Sequence, residues 1–310
     1  MDVRDSCWKK YFSSAEIDEI KRYEAIQLPD LPVDVKAYMN ELIATPRSEL
    51  FDKVNQVIHP ANTDKYWIQD TYNNCVRLAQ SGFYPLNDVI EQGMGRRIWS
   101  CVDNFEWSVW LSKLYSGEKC SKATADASNK DRCLSDVGRQ SSGRKMDYLF
   151  TTKKTGFEVG CGECALVGGI KTTKEFQDAG FKMPKVMRDM ANSILATHAG
   201  LENELCLVGF YIGGDAMQLL TLGFPAGYVA RLDGFGPAHF PRNEEKICSL
   251  QNVVKLILSG RILVENANRK IERCQMTPIG RLGHVSDCIV HTFTHAAAPV
   301  SDKKKKRKCQ

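Results

Sequence analysis

Apolar residues recur at helical spacing through the first part of the chain and predict a series of amphipathic helices. Ser13 and Glu16 have the spacing of a capping box, which places the start of the first helix there. Prolines and a glycine bound the helices that follow, which are predicted over residues 33–44, 48–58 and 64–80. Residues 1–84 are therefore predicted to form a helical N-terminal region.

The pattern changes to that of β-strands after Gly143. Two runs, 143–150 and 157–165, are predicted to form the arms of a β-hairpin. Shorter apolar runs predict further strands over 205–212, 217–224 and 228–232. Helix-start signals predict helices that open at Thr172, Pro184 and Asn243. This order of elements predicts a mixed α/β fold around a small sheet, without the regular alternation of a doubly wound fold.

A long polar segment, residues 119–145, leads into the hairpin. It contains seven basic and three acidic residues and almost no large apolar side chain. It is therefore predicted to be a loop, and loops of this length are typically functional or disordered. Beside a metal site its positive charge would suit contacts with phosphates, and a surface insertion without a role is the alternative.

The predicted hairpin carries acidic side chains in both arms. Asp147 lies in the first arm, and Glu158 and Glu163 lie in the second. A carboxylate inside an apolar strand is costly unless a positive group lies beside it, and hard divalent cations prefer carboxylate oxygens. Because a hairpin brings its two arms together, these acids are predicted to hold a divalent metal ion, Mg²⁺ or Mn²⁺.

The pattern of Asp147 followed sixteen positions later by Glu163 in a strand resembles the core of the PD-(D/E)XK superfamily, the restriction-endonuclease-like nucleases. The wider pattern, over roughly residues 85–270, resembles large fungal families assigned to that fold. The matching segments include Glu118-Lys-Cys-Ser-Lys, Gly143-Arg-Lys-x-Asp147 and Glu158-x-Gly-x-Gly-Glu163. The resemblance implies a restriction-endonuclease-like core sheet flanked by helices, and metal-dependent phosphodiester hydrolysis of nucleic acid, with DNA as the expected substrate.

The resemblance also implies roles for individual residues. Asp147 and Glu163 would be metal ligands from adjacent strands, and Glu158 would be a further ligand or a supporting group. An upstream acid often joins such sites, and Glu118 is the first candidate for it, followed by Glu91.

In that superfamily a lysine two residues after the glutamate orients or activates the attacking water. This chain has Ala165 at that position. A lysine from elsewhere would have to complete the site, and the candidates are Lys145, Lys171 and Lys185. If none does, the resemblance implies an inactive nuclease-like fold that binds nucleic acid or protein.

Two other chemistries start from the same segment. Phe157 to Ala165 also resembles the first motif of S-adenosylmethionine-dependent methyltransferases, an acid followed by spaced glycines, although the third glycine is missing. Cys161 and Cys164 have the spacing of zinc ligands. A second set with such spacing lies near the C-terminus: His284, Cys288, His291 and His295. Structural zinc and a methyltransferase therefore stay open as alternatives.

Charge and composition bear on location and partners. The net charge is +5, but the tail from Lys303 to Lys308 carries six positive charges, so the remaining residues sum to about −1. The tail is typical of a nuclear-import signal or of an arm attracted to DNA, and nuclear localisation is predicted, with the cytoplasm as the alternative. The folded body is expected to contact nucleic acid only through a local basic patch.

No signal peptide is visible in the first ten residues, and the twelve scattered cysteines fit free thiols in a reducing compartment. The longest apolar zone, 205–232, is interrupted by glycines, Asp215 and Pro225, so no membrane span is expected. The predicted organisation is a helical region over 1–84, a restriction-endonuclease-like domain over 85–275, and an extension with the basic tail over 276–310. A homo-oligomer is left open.

Overall fold

The computed structural model describes most of the chain up to residue 274. The described residues are 2, 5–56, 58, 63–84, 97–103, 111–130, 132, 140–165, 172–226 and 229–274, with backbone alone for 111–116. Glu91, Lys171, the C-terminal histidine cluster and the basic tail lie outside them.

A six-stranded mixed sheet forms the centre of the molecule. Its strands, in spatial as well as chain order, are β1 (Leu111–Cys120), β2 (Lys145–Thr152), β3 (Glu158–Ala165), β4 (Cys206–Gly213), β5 (Ala216–Gly223) and β6 (Arg231–His239). Strands β3 and β4 are parallel, and every other neighbouring pair is antiparallel. The parallel pair requires a crossover connection, and the chain between β3 and β4 supplies it with helices.

The helices flank this sheet. They are α1 (Ser14–Arg22), α2 (Val33–Ala44), α3 (Arg47–Val54), α4 (Thr63–Gln80), α5 (Ser100–Asp103), α6 (Lys122–Asn129), α7 (Thr173–Gln177), α8 (Met183–Leu195) and α9 (Leu250–Arg273). A π-helical turn, Asp178–Lys182, joins α7 to α8 without a break. Short 3₁₀ helices cover Ser6–Lys10, Ala199–Leu201 and Glu244–Ser249.

Helices α8 and α9 cover opposite faces of the sheet. Consecutive residues of a strand point to opposite faces, and Gly209 and Phe210 are consecutive in β4. A side chain at position 209 would meet Met183 and Met187 of α8, whereas Phe210 packs against Gly260 of α9. The domain therefore has three layers, with the sheet in the middle.

The N-terminal helices pack onto this domain and share its core. Buried apolar side chains from Leu31 to Ile271 form one contiguous cluster that spans the sequence boundary predicted at residue 84. Arg261 of α9 makes two hydrogen bonds with the Asp64 carboxylate of α4, at 2.5 and 2.6 Å. The two regions of the sequence are therefore joined by a common core within the described residues.

The mixed α/β class predicted from the sequence is confirmed, with helices on both faces of a single sheet. The capping box at Ser13 and Glu16 is present, with both reciprocal hydrogen bonds. The loop predicted over 119–145 is wrong at its N-terminal end, because β1 runs to Cys120 and α6 follows it directly. The last strand also lies later than predicted, at Arg231–His239.

One helical stretch among the described residues, Glu244–Arg273, is long and apolar enough to cross a membrane by those two criteria. In the fold, 67% of its most apolar window is buried. The core helix of a folded domain has the same properties, and this helix packs against four strands of the sheet.

Candidate acidic site on the sheet

Asp147 and Glu163 lie on the neighbouring antiparallel strands β2 and β3, inside the sheet. The register pairs Tyr148 with Gly162 and Leu149 with Cys161, and extending it one step beyond the last paired residues places Asp147 opposite Glu163. Directly opposite residues project to the same face, with Cβ atoms about 5 Å apart. The backbone N–H of Cys164 donates a hydrogen bond to Asp147 Oδ2 at 2.7 Å, which holds that carboxylate at the end of β3.

Glu163 is buried, with only 3% of the residue exposed. Its Oε1 lies 2.7 Å from Nζ of Lys182, which is partly exposed. The pKa of Glu163 is raised to about 7, mainly by burial and also by the nearby charges of Asp147 and Asp178, while Lys182 opposes the shift. The ionised carboxylate is therefore poorly solvated, and a lysine ammonium is its nearest partner.

The π-helical turn between α7 and α8 positions Lys182. Pro184 follows two residues later, and a proline inside a regular helix would lack an N–H and clash with the carbonyl four residues before it, that of Gly180. The helical turn instead contains one extra residue. The N–H of Met183 donates a hydrogen bond to the carbonyl of Asp178, five residues earlier. The sequence had predicted two separate helices here, ending near Gly180 and restarting at Pro184. The proline is accommodated inside one continuous helical segment.

A second ion pair lies on the same turn. Lys174 Nζ is 2.9 Å from Oδ2 of Asp178, whose side chain is almost fully buried. The hydrogen bond to Asp178 raises the pKa of Lys174, and the charges of Glu163 and Asp147 contribute in the same direction. Three carboxylates and two ammonium groups therefore share one electrostatic neighbourhood at this end of β3.

Glu158 lies at the other end of β3 and is engaged elsewhere. A register shift pairs it with Thr151, so it projects to the same face as Cys161, but about 15 Å from Glu163 along the strand. Its carboxylate accepts three hydrogen bonds at the start of α6. They come from Ser121 Oγ (2.6 Å) and from the backbone N–H groups of Lys122 (2.7 Å) and Ala123 (3.2 Å). The structure therefore does not bring Glu158 into a common site with Glu163.

Glu118 and Lys145 form a pair with each other. Lys145 Nζ lies 2.7 Å from Glu118 Oε2, and both side chains are more than 60% exposed. The hydrogen bond from Lys145 lowers the pKa of Glu118, and the charge of Lys182 adds a little in the same direction. The pair therefore lies on the rim of the acidic site. Among the residues that the structure describes, neither side chain forms an ion pair with Asp147 or Glu163, and Lys182 is the lysine that reaches the glutamate.

Cys161 and Cys164 do not form a metal site in β3. They are three residues apart in a strand, so their side chains point to opposite faces. Burial raises the pKa of both thiols well above the ordinary value. A thiolate is the form that binds zinc, and these positions disfavour it. The other predicted zinc cluster, from His284 to His295, lies outside the described residues.

The carboxylates of Asp147 and Glu163 suit Mg²⁺ or Mn²⁺ better than Zn²⁺. Among the residues that the structure describes, no group of three or more His, Cys, Asp or Glu side chains is placed to hold a metal ion. Protein zinc sites use three or four such ligands. Mg²⁺ is usually bound through one or two carboxylates, with water and substrate phosphate completing its shell. Two facing carboxylates therefore fit Mg²⁺ or Mn²⁺, with solvent and substrate as the remaining ligands.

No family model, no curated protein and no solved structure matches this chain.

Lys182 is the residue that sequence reasoning missed. A signal was nevertheless present, because a parallel β3–β4 pair forces the intervening helices to cross one face of the sheet. A lysine early in that crossover can then return to the end of β3, as Lys182 does.

Proposed function

We propose that this protein is a Mg²⁺-dependent phosphodiesterase acting on nucleic acid, with Asp147, Glu163 and Lys182 as its catalytic centre. One observation carries the proposal: a buried glutamate on β3 faces an aspartate on β2, and a lysine ammonium lies 2.7 Å from the glutamate. These are the three residue types that the restriction-endonuclease-like nucleases use. The lysine comes from the crossover helix instead of from position 165.

The chemistry assigns a part to each side chain. Asp147 and Glu163 would hold the metal ion, which when bound neutralises charge on the scissile phosphate and polarises the attacking water. Lys182 is a positioned donor that can hydrogen-bond that water and stabilise negative charge as it develops on the phosphate oxygens. The N–H of Cys164 donates a hydrogen bond to Oδ2 of Asp147 and holds that carboxylate in place. The backbone of β3 therefore fixes the orientation of Asp147, one of the two proposed metal ligands.

The architecture supports the same proposal. The acids lie on adjacent inner strands of a mixed sheet with helices on both faces, as the resemblance implies for a restriction-endonuclease-like core. Lys145 and Lys174 also lie near the acidic pair, in ion pairs with Glu118 and Asp178. Lysine and arginine side chains supply most of the affinity of proteins for a phosphate backbone. DNA and a nuclear location remain parts of the proposal that the tail sequence favours.

The decisive experiment is cleavage of plasmid and oligonucleotide DNA and RNA by the purified chain in Mg²⁺ or Mn²⁺. We expect Asp147→Asn, Glu163→Gln and Lys182→Met each to lower the rate by a factor of about 100 or more, as for loss of a group that stabilises transition-state charge. Asp18→Asn and Lys36→Met are matched controls, because both side chains lie in exposed ion pairs away from the sheet. Cleavage that survives all three site substitutions would overturn the proposal.

A second candidate is a nuclease-like fold that binds nucleic acid without cutting it. The direct Lys182–Glu163 ion pair favours it, because the carboxylate is balanced without a metal ion. Calorimetric titration with Mg²⁺ separates the two. A catalytic site should bind the ion more tightly as the pH rises through about 7, where Glu163 ionises. An absence of binding at every pH would favour the non-catalytic module.

The methyltransferase alternative gains no support from the geometry. Gly160 and Gly162 lie inside β3, where a side chain would collide with the carbonyl of Val208 at position 160 and crowd that of Phe210 at position 162. These glycines therefore allow close packing of neighbouring strands. They do not form the turn between a strand and a helix that would hold the cofactor.

A further inference from the structure

Two large aromatic side chains are exposed beside the acidic site. Phe176 is 62% exposed and Phe181 is 49% exposed, and their ring centroids lie 4.8 Å apart at an interplanar angle of 76°. Single exposed apolar residues are ordinary, but two touching phenylalanines form a small apolar surface that is costly to leave in water. Such a surface is typical of a binding site.

The π-helical turn brings these two rings together. Residues five apart do not face each other on a regular α-helix, where neighbours are three or four apart. The wider turn at Asp178–Lys182 adds one residue, so Phe176 and Phe181 meet. Turns of this kind occur frequently at functional sites. The same turn directs Asp178 inward, where it is buried, and Lys182 toward Glu163.

Lysines lie near the aromatic pair, two of them in ion pairs with buried carboxylates, Lys174 with Asp178 and Lys182 with Glu163. Lys182 follows Phe181 directly, and Lys174 lies two residues before Phe176. Lys185 Nζ lies 6.0 Å from the centroid of the Phe181 ring, within the range of a cation–π contact. An apolar surface bordered by three lysines is complementary to a polyanion that also presents flat apolar faces. Single-stranded nucleic acid is that ligand.

We propose that Phe176 and Phe181 form a base-stacking platform for unpaired nucleotides, so that the substrate is single-stranded nucleic acid or a single-stranded segment beside a duplex. In a duplex the faces of the bases are covered by their neighbours, and exposed rings gain nothing from them. In a single strand each base offers a free face, and the two rings, roughly perpendicular, can receive one base on a ring face with the other ring at its edge. The platform rests on the proposed nucleic-acid substrate, but not on catalysis.

The experiment measures binding without cleavage. Fluorescence anisotropy in EDTA compares a labelled single strand of about 16 nucleotides with the matching duplex. We expect Phe176→Ala and Phe181→Ala each to weaken single-strand binding by about tenfold and to leave duplex binding unchanged. Phe181→Leu should not restore the affinity, because it keeps apolar area without an aromatic face. Tyr66→Ala is the matched control, since Tyr66 is 56% exposed on α4.

Three results would overturn the platform. They are unchanged single-strand affinity in the Phe176→Ala/Phe181→Ala double variant, an equal loss for single strand and duplex, and a concentration-dependent dimer in sedimentation that the double variant abolishes. The last would identify the pair as an interface between copies of the chain. Normal single-strand preference in Glu163→Gln, combined with its undiminished cleavage, would instead refute the catalytic proposal and leave the platform standing.

Discussion

Strand β3 carries a buried glutamate at each end, and the two are held in opposite ways. Glu158 is 7% exposed and accepts three hydrogen bonds from the start of α6. Glu163 is 3% exposed and has one lysine beside it, with two more carboxylates close enough to raise its pKa. Their burial is nearly the same, so the difference lies entirely in what surrounds each carboxylate.

This contrast separates a structural role from a functional one. A buried carboxylate that receives several donors stabilises the fold, and removing it leaves those donors unpaired. A buried carboxylate with an incomplete set of partners destabilises the fold, and it is retained only where something else requires it. The Glu163 carboxylate therefore destabilises the fold, as expected at a functional site. The Glu158 carboxylate stabilises it by capping a helix.

The largest effect that tests the contrast is on stability. We expect Glu158→Ala to lower the free energy of unfolding by about 4 kcal/mol, because three donors to a charged acceptor lose their partner. The same change at Glu163 should alter it by only about 1 kcal/mol at pH 8, since it also removes a poorly solvated charge and Lys182 can turn to solvent. Urea denaturation of both variants beside the parent chain measures the difference. Equal losses at the two positions would contradict the assignment of roles.

The pH dependence of stability gives a second, smaller test. The pKa of Glu163 is about 7 in the folded state and near 4.5 when the chain unfolds. The folded state therefore binds more protons between these values, so this group lowers stability as the pH rises through that window. The full effect above pH 7 is at most about 3 kcal/mol. Glu163→Gln removes it, so the variant should gain stability relative to the parent between pH 4.5 and 7.5, measured by urea denaturation in EDTA.

An exposed acid provides the control with the opposite sign. The hydrogen bond from Lys36 lowers the pKa of Asp30, so ionisation of Asp30 favours folding, but Asp30 is exposed and screened by water, so Asp30→Asn should lose only a little stability as the pH rises. If the plots of stability against pH for Glu163→Gln and the parent chain ran parallel at every pH, the ionised Glu163 carboxylate would not be destabilised by its burial. Added Mg²⁺ should reduce the gap between the two curves if Glu163 is a metal ligand.

Much of the fold follows from local patterns that the sequence displays. The capping box at Ser13, the proline-bounded helix at Val33–Ala44 and the hairpin that carries the acids depend on neighbours in the chain. The facing positions of Asp147 and Glu163 also follow, because a hairpin with a short turn sets its own register.

The missed features depend on contacts between distant parts of the chain. Among the strands that the structure describes, β1 lies at the edge of the sheet and pairs with β2 alone, so it lacks the apolar alternation that marks a strand. Helix α6 is short and polar and begins with caps from Ser121 and from Glu158, which is 37 residues away from Ser121 in the chain. Lys182 reaches Glu163 only because a crossover helix returns over the sheet. None of these contacts has a signature at fixed spacing.

The smallest expected effect concerns the pair that sequence reasoning placed in the site. Lys145 and Glu118 bond each other at 2.7 Å, but both are exposed, and exposed ion pairs contribute little to stability because water and salt screen them. We therefore expect Glu118→Gln to leave the urea midpoint unchanged, in contrast to Glu158→Ala. The pH at which Glu163 titrates should also stay the same in Glu118→Gln, as measured from the stability curve. If Glu163 titrated at a lower pH in Glu118→Gln than in the parent chain, Glu118 would belong to the acidic cluster and would be a metal-ligand candidate again.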